Sequence, residues 1–179
     1  MNEPKVSVAI LTSKEINFDL YGDFSFSTST KRLSGKFKAY LQKDKLIIKD
    51  NEQEYSFDSE AVLVPEDIKD ESFLIRDVVI GIKFHWEKKE NQRFQGSLKL
   101  LKDGENIIAI NITPVEHYLT SVISSEMSAY SSPELLKAHA IISRSWLIAQ
   151  IEKSKELMAA DQKYETTYKT DDELIKWYD

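Results

Sequence analysis

The sequence predicts an α+β fold, with a β-rich N-terminal two-thirds built from hairpins and packed on two consecutive helices. Three observations lead there. Apolar residues alternate or cluster at period two in successive runs along the first two-thirds of the chain. Short polar turns fold neighbouring runs back on each other, and after Thr113 the apolar period changes from two to that of a helix.

The opening runs "VSVAIL", "INFDLYGDFSF" and "GKFKAYL" cluster or alternate apolar residues, with Ile16, Phe18 and Leu20 on one face. "AYLQKDKLIIKD" predicts a hairpin turning at Lys43-Asp44. "RFQGSLKLLKDGENIIAINI" predicts another at Asp103-Gly104. Between them, "AVLVPEDIKDESFLIRDVVIGIKFHW" holds further short strands around a break at Pro65. Residues from about 36 to 92 are a candidate for a small β insertion. No repeat of fixed period and no low-complexity linker interrupts the chain.

Thr113-Pro114-Val115-Glu116 supplies a hydroxyl, a proline at the first helical position and a glutamate at the third, which predicts a capping box. The helix it opens should cover 114–127, with Val115, Leu119, Val122 and Ile123 on its core stripe. "AYSS" breaks it. Ser132 then caps a second helix over 133–151, with Pro133 and Glu134 in its first turn and a continuation through "EKSKELMAA". Residues 135–151 are apolar almost all round, so this helix is expected to be largely buried. The domain is expected over 1–156, and 157–179 reads as an incomplete C-terminal extension.

Composition excludes several classes. The chain is 41% hydrophobic and 30% charged, with a net charge of −6. That is a poor match to the basic footprint of a nucleic-acid binder, so no nucleic-acid partner is expected. No run approaches the roughly 20 apolar residues of a membrane span. "MNEPKVSV" has no basic n-region followed by an apolar h-region, so no signal peptide is visible. There is no cysteine, and His85, His117 and His139 include no pair spaced four apart. Neither a metal nor any other cofactor is expected in this segment.

Charge inside the second helix is the feature that asks for a role. Lys137 and Arg144 are seven residues apart, two turns and about 10 Å along one face, with Ile141 between them. Buried cations need a partner, so this stripe must meet water, an anion or a carboxylate. On the helix alone, a rim position with stems buried and heads in water accounts for both. Glu126 is the carboxylate nearest in sequence. It sits in the last turn of the first helix, where the negative end of the dipole disfavours an anion and neighbouring cations favour one. A carboxyl poised between such influences suits a group that donates a proton and then takes one. An exposed helix-end glutamate is the plain alternative.

"INITPVEHYLTSVISSEMSAYSSPELLKAHAIISRSW" resembles the core motif of the stage II sporulation protein D family (the SpoIID/LytB domain). The likeness runs through Asn111, Glu116, Tyr118, Leu119, Val122, Glu126, Met127, Glu134, Leu136, Lys137, Ala138, Ala140, Arg144 and Ser145. "RFQGSLKLLKDGENIIAIN" and "PKVSVAILTSKEINFDLYGDF" are similar to the strands that precede that motif, so the resemblance covers most of 4–27 and about 94–150. It implies an extracytoplasmic, cell-wall protein of the periplasm or cell surface, acting on peptidoglycan glycan strands. Its implied activity is that of a lytic transglycosylase that cuts MurNAc–GlcNAc bonds in denuded strands. Other members are amidase enhancers, which makes a non-catalytic modifier of a cell-wall amidase the alternative. A purely structural glycan-binding β module is a third reading.

By that resemblance Glu126 is the catalytic residue. Lys137 and Arg144 line the cleft and orient it, and Tyr118 is a weaker candidate for the lining. The sequence departs from the family pattern at Ser128, which replaces a proline and should loosen the turn after Glu126. It departs also at His139, Ile142, Ser143 and Trp146. His139 lies about 160° from the midline of the Lys137–Arg144 stripe, which makes it a packed core histidine. Trp86, Trp146 and Trp177 could stack on sugars or simply pack. Family members continue beyond the arginine helix, in some with a His/Cys zinc site, so 1–179 is expected to be the front part of the domain.

Overall fold

The computed structural model describes residues 3–80, 85, 88–128 and 130–161, with 155–161 described by backbone alone. Its fold is α+β. Ten strands precede two helices: β1 Lys5–Ser13, β2 Glu15–Phe26, β3 Leu33–Gln42, β4 Lys45–Lys49, β5 Glu54–Phe57, β6 Glu60–Pro65, β7 Ser72–Ile80, β8 Lys88–Phe94, β9 Ser97–Asp103 and β10 Asn106–Pro114, then α1 Val115–Glu126 and α2 Pro133–Asp161. The chain divides into two compact units. One takes in the described residues of Met1–Val6 and Pro114–Lys176, the other those of Ser7–Thr113.

The β unit is one sheet in the order β1-β10-β9-β6-β2-β3-β4-β5, with β7 branching from β2 and carrying β8. β2 can serve as the trunk because it is long. It pairs with β3 along one edge, and along the other first with β7 and then with β6. Its even-numbered apolar residues face the core. Ile16, Phe18, Leu20, Phe24 and Phe26 are all buried, with Phe18 stacked on Phe37 of β3 at 5.5 Å between ring centroids. Asp19, on the opposite face of β2, is also buried, and the Arg76 guanidinium of β7 meets both its oxygens at 3.2 and 2.5 Å. That pairing explains how a carboxylate is tolerated there. Strands from residues 36–92 pair with β2 and β9 in this same sheet.

Both expected hairpins form. Lys43 and Asp44 have φ of 49° and 66° and join β3 to β4, as a two-residue primed turn requires. The second loop lies one residue later than expected, at Gly104-Glu105, because Asp103 is already paired with Asn106. Trp86, Trp177 and the chain beyond Asp161 lie outside the described residues.

The helices begin and end close to the expected positions, but two details differ. No capping box forms at Thr113. β10 runs through Pro114, which becomes the helix cap without any side-chain cap bond. Thr113 is consumed by the strand and buried. The free N–H groups of α1 are met from a distant part of the chain: Val115 donates to the Pro4 carbonyl at 3.0 Å and Glu116 to Glu3 Oε1 at 2.8 Å. The second helix is capped as expected, with Leu135 N–H donating to Ser132 Oγ at 3.2 Å.

The expectation that α2 is largely buried is overturned. Among its described residues only Leu147 is buried, whereas Leu135, Ile141, Ile142 and Trp146 are exposed. An apolar composition shows what a helix could bury, not what is available to cover it. Among the described residues, α1 with 12 residues spans about 18 Å and α2 with 29 spans about 44 Å.

Candidate functional site

α1 ends at Glu126 because Met127 turns extended, with φ −113° and ψ 138°, and donates its N–H back to the Ile123 carbonyl at 3.0 Å. The serine that stands at 128 makes two local hydrogen bonds with the residues that follow. Ser128 Oγ accepts from the Tyr130 N–H at 3.2 Å, and the Ser128 carbonyl accepts from the Ser131 N–H at 3.0 Å. Hydroxyl side chains make such local turns without proline. Ser132 then starts α2 at once, so the last residue of α1 lies near the early turns of α2.

Glu126 is half exposed there, and its partner is His139. The imidazole Nε2 is 3.2 Å from Glu126 Oε2, with the histidine side chain one-quarter exposed. His139 Nδ1 is buried and has no hydrogen-bond partner among the described residues. The expectation that His139 is simply a packed core histidine is therefore corrected. Helical periodicity gives angles about one helix axis, and the α1–α2 crossing decides which of those faces meets Glu126.

Arg144 is engaged elsewhere. Its Nε donates to Glu116 Oε1 at 2.8 Å and its Nη2 to Glu116 Oε2 at 2.5 Å, a bidentate clamp between the first turn of α1 and the middle of α2. The guanidinium hydrogen bonds hold the Glu116 carboxyl below the usual carboxylate range, and the carboxylate in turn raises Arg144. Lys137 is exposed and makes no ion pair among the described residues. Tyr118 is half buried on α1, and Trp146 is partly exposed on α2.

The geometry thus places two of the predicted site residues, Glu126 and Arg144, in cross-helix pairs. Glu126 meets His139 at one end of α1, and Glu116 meets Arg144 at the other. Lys137 stands free between them in sequence. Of these, Glu116 was expected only to cap α1, and His139 was missed as a participant. The signal was present, because it is one of the positions where the chain leaves the family pattern, a polar titratable group in an apolar helix. Among the described residues no three His, Asp or Glu side chains gather closely enough to hold a metal ion. No helix among them is long and apolar enough to cross a membrane.

The family model described as stage II sporulation protein (SpoIID) matches residues 103–178, the stretch that carries Glu116, Glu126, Lys137, His139 and Arg144. This is the family that the motif resembles. No curated protein and no solved structure matches the chain. The family match supports a cell-wall-related role.

Proposed function

We propose that the protein is an extracytoplasmic lytic transglycosylase that cleaves MurNAc–GlcNAc bonds in peptidoglycan glycan strands, with Glu126 as its single acid/base. The observation that carries the reading is the family match over 103–178, inside which Glu126 is a half-exposed carboxyl with a polar neighbour on the facing helix.

One carboxyl suffices for this reaction. Protonated Glu126 gives its proton to the bridging oxygen as the bond from that oxygen to muramic C1 breaks, and the GlcNAc 4-hydroxyl departs. The carboxylate then takes the proton of the muramic C6 hydroxyl, whose oxygen bonds to C1 and closes the 1,6-anhydro ring. Glu126 ends protonated, as it began, and no water is consumed. A hydrolase of this class needs a second carboxylate to activate water or to trap the sugar; ring closure by the substrate's own hydroxyl removes that need.

The basic residues serve the substrate in this scheme. Lys137, with no ion pair among the described residues, offers its ammonium to hydroxyl, carbonyl or lactyl oxygens of the glycan. Arg144, clamped through Nε and Nη2, is a preorganised cation whose Nη1 is left for a sugar oxygen, with no side-chain ordering to be done on binding. Tyr118 is proposed as cleft lining.

The test is incubation with denuded glycan strands and mass spectrometry of the products. Anhydro-terminated sugars are expected, with loss of at least about 100-fold in Glu126→Gln. Absence of anhydro products rejects the assignment, and so does undiminished cleavage by Glu126→Gln. Stimulation of a cell-wall amidase that is equal in wild type and Glu126→Gln, without glycan cleavage, would identify a non-catalytic modifier instead.

A further inference from the structure

The imidazole beside Glu126 does more than fill space, and its two nitrogens differ in a way that fixes its form. Nε2 stands 3.2 Å from Glu126 Oε2. Nδ1 is buried with no partner among the described residues. Three forms of the ring are available: imidazolium with two N–H donors, neutral with the proton on Nδ1, and neutral with the proton on Nε2. The first strands a buried cationic N–H at Nδ1. The second strands a buried N–H there too. The third leaves only an unused lone pair at Nδ1 and points a donor at Glu126. A stranded donor is costlier than a stranded acceptor, so the third form is selected.

We propose that His139, as its neutral Nε2–H tautomer, is a positioning residue that donates a hydrogen bond to Glu126 Oε2 and so confines the catalytic proton to Oε1. This rests on the assignment of Glu126 as the acid/base. Because the Nε2–H can only donate, Oε2 must accept in both protonation states of the carboxyl. The proton that moves to the glycosidic oxygen and returns from the C6 hydroxyl is therefore carried on the other oxygen. Rotation of the carboxyl about its last bond would break the contact, so the same interaction holds the plane of the acid. Lys137 and Arg144, on the same helix, cannot do this: Lys137 has no ion pair among the described residues and Arg144 is clamped to Glu116.

Two measurements test it, one of them independent of activity. In histidine-labelled protein, long-range proton–nitrogen correlation spectra should show His139 with a protonated Nε2 and a bare Nδ1 at neutral pH. In Glu126→Gln that preference should weaken. A proton on Nδ1, or an imidazolium at neutral pH, overturns the proposal. In the glycan-cleavage assay, His139→Gln keeps an N–H donor and should retain activity within about threefold, whereas His139→Met, of similar bulk and no donor, should lose about tenfold or more in kcat with little change in KM. A purely structural role predicts that both variants behave alike, and that result overturns the proposal. If wild type cleaves no glycan, the Glu126 assignment fails, and the tautomer measurement still decides the His139–Glu126 contact by itself. If wild type is active but the tautomer or the Gln–Met contrast is wrong, only the role of His139 fails.

Discussion

Replacing Gly96 by alanine should be among the most damaging single-methyl additions in the β unit. Gly96 sits between β8 and β9 with φ of +113°, a backbone conformation that side chains rarely adopt. A Cβ there would lie 2.6 Å from the Ile112 carbonyl oxygen, 3.0 Å from Asn111 Oδ1 and 3.1 Å from Thr113 Cβ. The nearest of these is backbone in β10, which cannot swing aside as a side-chain tip could. The dihedral alone costs about 1–2 kcal/mol, and overfilling a tight contact adds about 1–3 kcal/mol. A total near 3 kcal/mol would lower the melting temperature of a chain this long by about 6–12 °C. Gly35 supplies the control. Its φ is +98°, but a Cβ there would meet nothing within 4 Å, so Gly35→Ala should show only the dihedral cost. The assay is thermal and urea unfolding of both variants, followed by circular dichroism. If Gly96→Ala is no more destabilising than Gly35→Ala, β10 leaves room for a methyl at Gly96 and the reasoning is refuted.

Loss of the Ser132 cap in Ser132→Ala should cost about 1 kcal/mol, read by urea unfolding, with fraying of the first turn of α2 visible in amide hydrogen exchange. The Glu116–Arg144 clamp should make stability pH dependent in a defined direction. The Glu116 carboxyl is held below its ordinary value of 4.5 by the Arg144 hydrogen bonds, so its contribution is complete above that value and is lost as pH falls through the lowered folded value. The difference in melting temperature between wild type and Glu116→Gln should therefore be present at neutral pH and vanish in strong acid. It should also shrink with salt, because both groups are about half exposed. A difference that persists unchanged below the folded value would mean that Glu116 acts through packing.

The site was legible in part, and the boundary is a physical one. Residues seven apart on a helix share a face whatever surrounds them, so Lys137 and Arg144 could be grouped from sequence. Which carboxylate each would meet depends on where α1 lies against α2, and that is not a property of either helix. Arg144 reaches the first turn of α1 at Glu116, not the last turn at Glu126. His139, expected to pack in the core off the Lys137–Arg144 stripe, reaches Glu126.

Alternation of apolar residues determined the strands, because a pleated strand exposes opposite faces at successive positions wherever it lies. Turn chemistry placed both hairpins within a residue, since Lys43-Asp44 and Gly104 satisfy local backbone demands. The switch of period after Thr113 determined the two helices, and Ser132 determined where the second begins. Tertiary structure alone decided the rest. It set β2 as a trunk with three strand neighbours, and met the first N–H groups of α1 from Glu3 and Pro4. It left most of an apolar α2 exposed, and chose a histidine as the companion of Glu126. Local pattern fixes conformation through short-range sterics and hydrogen bonding. Partnership between distant side chains is set by the placement of whole elements, which only the folded chain defines.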